Sequence, residues 1–252
     1  MKLARLGDGP EIFHTLQGEG IDVGRPAVFI RTSRCNLHCV WCDTDHTWNF
    51  EGTPWRHEKD AVPGYRKHRR DEVTVEIAPK AAAELVLAHG CGHTVITGGE
   101  PLLQQDALVE MIGHIRERSP DHFFEVETNG TRLPGEALAR AIGRFNVSPK
   151  LANSGMDSAL RIVPAVLAAF VAMPSGRAWF KFVVATPEDL DELLGLAAAH
   201  GLPSGRLLVM PEGRSVAALD AAAAWLAPRC RDLGLRFCDR LHIRLWGDRR
   251  GV

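Results

Sequence analysis

The sequence predicts an α/β fold built on an incomplete, TIM-like barrel of about six parallel strands. Six short runs rich in β-branched and aromatic residues alternate with helical patterns along the chain. Most runs are apolar at nearly every position, which is typical of strands buried on both faces of a parallel sheet. Six strand–helix units are fewer than the eight that close a complete barrel, so we expect an open one.

The strands and helices alternate in chain order. The β-rich runs lie at 27–31, 94–97, 123–127, 145–148, 179–184 and 206–210. The helical patterns lie at 79–89, 106–117, 135–142, 165–172, 187–200 and 215–233. The helix at 187–200 has a readable start, because Thr186 can cap it, Pro187 suits its first turn and Glu188 suits the positive end of the helix dipole.

One polar segment, at 49–71, interrupts this alternation. It contains Gly and Pro breakers and a basic run at 66–70, and it shows no periodicity. A basic run is most often a solvated face. This one follows a cysteine motif directly, so an active-site cover is the other interpretation. We therefore expect one domain over residues 1–252, with an insert at 49–71.

Composition excludes several classes of protein. The 252 residues include 30 Lys and Arg against 31 Asp and Glu, a net charge of −1, which argues against a dedicated nucleic-acid partner. With 45% hydrophobic and 24% charged residues, the chain is not of a disordered type. No apolar run approaches the roughly 20 residues that span a bilayer, and the N-terminus lacks a signal-peptide core. We expect a cytoplasmic protein without a membrane partner.

Three of the six cysteines lie close together, at Cys35, Cys39 and Cys42, just after the first predicted strand. In a cytoplasmic protein such thiols are metal ligands or catalytic groups rather than disulfides. Three thiolates on one short loop can converge on a soft metal centre, and iron–sulfur clusters are held mainly by such ligands. A closed zinc site needs a fourth ligand, for which His38 is a candidate. A non-enzymatic zinc-binding module therefore stays open as a remote alternative.

A second motif follows the strand at 94–97 and reads Thr97-Gly98-Gly99-Glu100-Pro101. Its glycines would let a ligand approach the backbone closely, and Glu100 can accept hydrogen bonds from an ammonium group. Taken alone, this sequence is equally compatible with an ordinary strand-to-helix turn.

The cysteine spacing and the Gly-Gly-Glu turn, in this order, resemble the radical S-adenosylmethionine superfamily. The resemblance implies a [4Fe–4S] cluster on Cys35, Cys39 and Cys42 whose open iron binds the amine and carboxylate of S-adenosylmethionine. One electron then cleaves the sulfonium and releases a 5′-deoxyadenosyl radical. The protein's part is to position the cofactor and to exclude side reactions.

Five further segments narrow the choice: EIFHTLQGEG at 11–20, CDT at 42–44, ETNG at 127–130, SPKL at 148–151 and LHIRLWGD at 241–248. Together they resemble the 7-carboxy-7-deazaguanine synthase family of queuosine and 7-deazapurine biosynthesis. The match spans almost the whole chain except 49–71. It implies a lyase that converts 6-carboxy-5,6,7,8-tetrahydropterin to 7-carboxy-7-deazaguanine: the radical removes hydrogen from C6, the ring contracts and ammonia leaves.

The same resemblance implies a barrel with reduced helical cover, Mg²⁺, a homodimer, and an electron donor such as a flavodoxin or ferredoxin. It places Mg²⁺ on Thr44, which suits an ion that keeps several waters and takes substrate oxygens. The implied S-adenosylmethionine contacts are Gly99, Glu100, Glu127, Ser148, Pro149 and Lys150. The implied substrate contacts are Leu16, Gln17, Gly18, Glu19, Arg31, Thr97 and His242. No catalytic side chain is implied beyond the cofactor-derived radical.

Each of these residues also has a plainer interpretation. Arg31 has the fork that a carboxylate prefers, but it could form a surface ion pair instead. Gln17 and Glu19 could belong to a polar turn, Thr44 could be a cap, and a lone His242 could be structural.

The nearest alternative enzyme is a glycyl-radical-enzyme activase. It shares both motifs, but it acts on the backbone of a protein partner. The segments at 11–20 and 241–248 favour the synthase family.

Overall fold

The computed structural model describes residues 1–252 and places all six predicted strands in one sheet. The strands are β1 (Lys2–Leu6), β2 (Gly9–Pro10), β3 (Ile12–Leu16), β4 (Pro26–Thr32), β5 (Thr74–Glu76), β6 (His93–Gly98), β7 (Phe123–Thr128), β8 (Arg144–Val147), β9 (Ala178–Val184), β10 (Leu207–Pro211) and β11 (Arg236–Phe237). The helices are α1 (Arg70–Val73), α2 (Pro79–Ala88), α3 (Gln105–Arg118), α4 (Glu136–Ala141), α5 (Ser158–Arg161), α6 (Pro164–Val171), α7 (Pro187–Ala199), α8 (Val216–Asp232) and α9 (Leu241–Trp246).

The sheet is an open, mostly parallel one. Its parallel part runs in the order β4-β6-β7-β8-β9-β10-β11, so a short seventh strand extends the six that the sequence predicts. At the other edge β4 pairs with β3 and β1, both antiparallel. Because β11 and β1 do not meet, the barrel stays incomplete, as predicted.

The parallel strands are covered by helices on one face. Strand β9 is buried along its whole length, and Phe180 and Phe182 belong to the main core together with side chains of the covering helices. On α3 the buried residues Leu108, Met111 and Ile115 recur at helical spacing toward that core. Helix α7 starts at the predicted cap Thr186, which forms a capping box with Asp189. None of the helices combines the length and the apolar character needed to cross a bilayer.

The turn after β6 lies against the start of the cysteine loop. The Gly99 N–H donates to the Thr32 carbonyl at 3.0 Å, and the Glu100 N–H donates to the Arg34 carbonyl at 2.9 Å. A Cβ atom at Gly98 would collide with the backbone of Thr32, and one at Gly99 would collide with the backbone of Arg34. These glycines therefore make room for the close approach of the protein's own chain.

A Gly98→Ala substitution tests this packing. Gly98 has a φ of +124° and no room for a methyl group, so we expect the free energy of unfolding to fall by more than about 2 kcal/mol. The matched control is Gly113→Ala, at an exposed site of α3 with no neighbour within 4 Å. There the added methyl group should raise stability by about 0.5–1 kcal/mol. Urea denaturation measures both, and equal effects would refute the packing argument.

Candidate active site

A single cavity lies at the carboxyl ends of the parallel strands, where barrel folds bind their ligands. Every residue that the resemblance assigned to the site lines it, except Glu100 and Pro149. The C-terminal residues 248–252 also contribute to its wall. The structure thus brings together segments that are far apart in sequence, from 16–19 to 242.

The cysteine loop follows β4 and its three thiols face this cavity. Cys39 is buried, while Cys35 and Cys42 are half-buried. The Leu37 N–H points at the Cys35 sulfur at 3.4 Å, and the Asn129 amide lies 3.8 Å from the same sulfur. The Thr44 hydroxyl lies 3.5 Å from the Cys42 sulfur. Weak donors of this kind orient thiolates without occupying their metal-binding positions.

Burial raises the pKa of each of the three thiols, that of Cys39 to about 12. Nearby Lys150 opposes this shift at Cys39. Thiols in such a place stay protonated unless a cation neutralises them, and bound iron provides that charge. Three cysteine thiols on one loop, all facing one cavity, fit a [4Fe–4S] cluster with one iron left open to the cavity.

His38 is not placed to complete a zinc site. Its ring stacks on Trp55, with centroids 3.9 Å apart and an interplanar angle of 6°, and its edge meets Trp48. No three His, Cys, Asp or Glu side chains converge closely enough to hold a single metal ion. A four-iron cluster spreads its thiolates over separate irons and does not need such convergence. The geometry therefore disfavours the zinc-module alternative.

Glu100 lies beneath the cavity rather than in its wall. It is fully buried, and its carboxylate accepts hydrogen bonds from the Leu102 N–H at 3.0 Å, the Thr128 hydroxyl at 2.8 Å and the Asn129 N–H at 2.7 Å. Burial raises its pKa, against the effect of these donors. Through these bonds the carboxylate joins the turn after β6 to the loop after β7.

The ends of β6, β7 and β8 place polar groups along one wall. The Thr97 hydroxyl donates to Glu127 Oε2 at 2.8 Å, and Lys150 Nζ donates to the Ser148 hydroxyl at 3.0 Å. Pro149 lies between these last two residues but does not reach the cavity. This wall offers hydroxyl, carboxylate and ammonium groups to a polar ligand.

A cluster of paired charges adjoins this wall, since Lys181 Nζ lies 3.9 Å from Glu127 Oε1. Glu19 pairs with Lys181 and with Arg240, whose Nε lies 3.0 Å from Glu19 Oε1, and Arg240 also pairs with Asp43 of the cysteine loop. Burial alone would raise the pKa of Glu19, but Lys181 and Arg240 hold it well below its usual range. Glu19 is therefore ionised at neutral pH, and its charge is compensated by two cations.

Gln17 is engaged within the protein. Its amide donates to Glu125 Oε1 at 2.7 Å and accepts from the Glu19 N–H at 3.1 Å. Glu125 is itself fully buried below the cavity. The amide group of Gln17 therefore fixes the position of Glu19, in addition to lining the cavity.

Arg31 also has a fixed partner. Its Nε donates to Glu11 at 2.7 Å, and Glu11 is fully buried and additionally paired with His46 and Arg250. Burial alone would raise the pKa of Glu11, but Arg31 first and then His46 and Arg250 lower it. The pair holds the Arg31 guanidinium by one edge at the cavity wall.

His242 packs on the N-terminal segment, since a Cβ atom at Gly18 would collide with its ring. Its Nε2 lies 3.9 Å from Glu19 Oε1. Burial lowers the pKa of His242, against the effect of Glu19. His242 thereby lines the cavity beside Glu19.

Sequence reasoning missed Lys181, Arg240 and Asn129 as parts of the site. Lys181 had a readable signal, because it is the lone charge in a strand that is otherwise apolar, and strand alternation places it opposite Phe180 and Phe182. Arg240 directly precedes a segment that the sequence singled out but carries no motif of its own.

The insert at 49–71, which the sequence analysis considered as an active-site cover, contributes nothing to the cavity wall. Of the dispersed cysteines, Cys230 and Cys238 are buried and Cys91 is half-buried.

Removing the Glu100 carboxylate tests its structural role. Glu100→Ala leaves three buried donors without an acceptor, and we expect the free energy of unfolding to fall by about 3 kcal/mol. Glu110→Ala is the control, because Glu110 is an exposed carboxylate on α3 and should change stability by less than about 0.5 kcal/mol. Denaturant titration measures the free energy of unfolding of both variants. An unchanged stability of Glu100→Ala would contradict the structural role of this carboxylate.

Comparison with known proteins agrees with this geometry. Residues 29–224 match the model of the radical SAM superfamily. The chain is 38% identical to 7-carboxy-7-deazaguanine synthase of Pyrobaculum aerophilum, over 96% of this chain and 95% of that protein. It is 34% identical to the synthases of Rhodopirellula baltica and Halobacterium salinarum, each over 96% of this chain and 87% or 93% of theirs.

Among solved structures, the fold is similar to that of QueE from Escherichia coli. The TM-score is 0.63 at 24% sequence identity, over 96% of this chain and 95% of that one. The structural likeness supports the partial-barrel fold, and the sequence identities show the family to which the chain is related. The chain belongs to the radical SAM superfamily and, within it, to the 7-carboxy-7-deazaguanine synthase family.

Proposed function

We propose that this protein converts 6-carboxy-5,6,7,8-tetrahydropterin to 7-carboxy-7-deazaguanine with loss of ammonia. The observation that carries the proposal is the single cavity in which the three cysteines face Arg31, Glu19 and Lys181. A carboxylated, donor-rich heterocycle suits a site that offers both cations and carboxylates. The relatives from Pyrobaculum, Rhodopirellula and Halobacterium carry the name of this reaction.

Cys35, Cys39 and Cys42 would hold the [4Fe–4S] cluster. With S-adenosylmethionine bound, this group supplies the 5′-deoxyadenosyl radical that removes hydrogen from the substrate. Gly99, Ser148 and Lys150 line the cavity where they would hold the cofactor, whereas Glu100 and Pro149 would act through the backbone that they position. Glu127, held by Thr97 at 2.8 Å, would orient a ribose hydroxyl or the substrate.

The substrate would lie between Arg31 and the paired charges of Glu19, Lys181 and Arg240. Arg31 keeps its terminal nitrogens for a carboxylate, because its Nε is bound to Glu11. Leu16, Gly18, Glu19 and His242 would form the remaining substrate contacts. Since Glu19 is ionised and rigidly paired, it would accept hydrogen bonds from the amine and N–H groups of a pterin edge.

Thr44 would bind Mg²⁺ through its hydroxyl. It lines the cavity beside Cys42 and is a single hard ligand, which suits an ion that takes its other ligands from water and substrate. A magnesium ion there would neutralise substrate oxygens near the cysteine loop.

We further infer that residues 1–252 act as one domain, because a continuous core of buried side chains extends from β4 to β10. By analogy with the family, we propose a cytoplasmic homodimer that takes its electron from a flavodoxin or ferredoxin.

An anaerobic turnover assay tests the proposed reaction. Cluster-reconstituted protein receives dithionite, S-adenosylmethionine, Mg²⁺ and the pterin, with mass spectrometry as the readout. We expect 7-carboxy-7-deazaguanine from the wild type and none from Cys39→Ala, which should also lose bound iron. Cys91→Ala is the control, since Cys91 lies outside the cavity, and it should keep both its iron and its activity.

Two results would contradict the proposal in different ways. Formation of 5′-deoxyadenosine without the deazaguanine would retain the radical chemistry but refute the substrate, and an activase acting on a protein would then be the next candidate. Full iron binding by Cys39→Ala would refute the cluster assignment.

Thr44→Ala tests the magnesium site. We expect the Mg²⁺ concentration for half-maximal turnover to rise by about tenfold, which corresponds to about 1.4 kcal/mol. Thr44→Ser keeps the hydroxyl and should behave like the wild type. If the alanine and serine variants respond alike to Mg²⁺, the hydroxyl is not a ligand.

A further inference from the structure

Arg214 ties the loop after β10 to the cysteine loop. Its Nη2 donates to the Trp41 carbonyl at 2.8 Å and to the Cys42 carbonyl at 3.1 Å. The side chain is only 18% exposed, and it lines the cavity. Arg214 belongs to none of the proposed contacts with S-adenosylmethionine or the substrate. A cation is thus fixed against the backbone of a predicted cluster ligand by an interaction that the reaction has not yet used.

The main chain of Cys42 is fully bonded as a result. Its carbonyl accepts from Arg214 and also from His57 Nε2 at 2.8 Å, which occupies both lone pairs of the oxygen. The Cys42 N–H donates to the Cys39 carbonyl at 3.1 Å. The third cysteine of the motif is therefore held in place by the protein alone, and Arg214 is the charged member of that set of donors.

The positive charge of Arg214 is only partly balanced. Its carboxylate partner is Glu58, at 2.9 Å, and the Glu58 side chain is 51% exposed, so water screens the pair. Arg240, the other arginine beside this end of the loop, is bound by the two carboxylates of Glu19 and Asp43. Arg214 therefore keeps more of its charge for the cysteine loop than Arg240 does.

We propose that Arg214 is a positioning residue that raises the reduction potential of the cluster held by Cys42. The inference rests on the proposed function, because it presupposes that cluster. On reduction the cluster accepts one electron from a one-electron carrier, and no bond or proton on the protein changes. The cluster thereby becomes more negative, and a fixed cation on the backbone of its ligand stabilises the reduced form more than the oxidised form.

An anaerobic redox titration of the reconstituted protein tests this role, with reduced viologens as electron donors and the electron paramagnetic resonance signal of the reduced cluster as the readout. S-adenosylmethionine and the pterin are left out. Arg214→Gln keeps a donor but loses the charge. We expect its ratio of reduced to oxidised cluster at a fixed potential to fall by about tenfold, which lowers the midpoint potential by about 59 mV.

Two comparisons separate the charge of Arg214 from other effects of the substitution. Arg214→Lys keeps the charge, and its midpoint potential should lie closer to that of the wild type than to that of Arg214→Gln. Arg229→Gln is the control, because it makes the same change in net charge at an exposed arginine of α8 that has no carboxylate partner. It should leave the potential unchanged.

Glu58→Gln gives a test that does not depend on the folding of Arg214 variants. Removing this exposed carboxylate leaves the charge of Arg214 unbalanced, so we expect the midpoint potential to rise, opposite in sign to the effect of Arg214→Gln. The rise should shrink at high salt because exposed charges are screened. A purely structural role of the Arg214 hydrogen bonds would produce no such rise.

Three results would overturn the inference. They are an unchanged potential in Arg214→Gln, an equal fall in Arg214→Lys and Arg214→Gln, and a potential that does not rise in Glu58→Gln. Failure of the proposed function is distinguishable, because it appears in the wild type as the absence of a reducible cluster or of 7-carboxy-7-deazaguanine. Failure of the role of Arg214 leaves both of these intact.

Discussion

The close approach of the turn at Gly98 and Gly99 to the backbone of Thr32 and Arg34 is the constraint on which the site depends. It holds the loop after β6 against the start of the cysteine loop. Glu100, the next residue, then accepts hydrogen bonds from the loop after β7. Asn129 of that loop extends back to Asn36 at 3.0 Å, beside Cys35. Three strand ends are thereby joined, and the cysteines are placed before any cofactor is bound.

A second constraint comes from charge. Glu19, Lys181, Arg240 and Asp43 belong to four separate parts of the chain, and their pairing joins the N-terminal segment, β9, the C-terminal segment and the cysteine loop. Buried ions of this kind are costly unless they are paired. The arrangement therefore gives the cavity a polar wall of fixed geometry, which suits the recognition of a small charged ligand better than that of an extended peptide.

The sequence predicted the parallel strands and the cysteines well, for different reasons. Strands β6 to β10 are apolar runs because both of their faces are buried, and the cysteines form a local motif. Strands β1, β3 and β5 were not predicted, because they are only partly buried and form through pairing at a sheet edge. Arg240 enters the site through tertiary contacts alone, whereas Lys181 could have been found as the lone charge of an apolar strand. No local pattern indicates that the insert lies outside the cavity.

The most direct test of this account is an anaerobic crystal structure of the reconstituted protein with S-adenosylmethionine and 6-carboxy-5,6,7,8-tetrahydropterin. The account predicts a [4Fe–4S] cluster bound by Cys35, Cys39 and Cys42 alone, and a pterin that lies between Arg31 and Glu19. A fourth protein ligand on the metal, or a pterin bound outside the cavity, would contradict it.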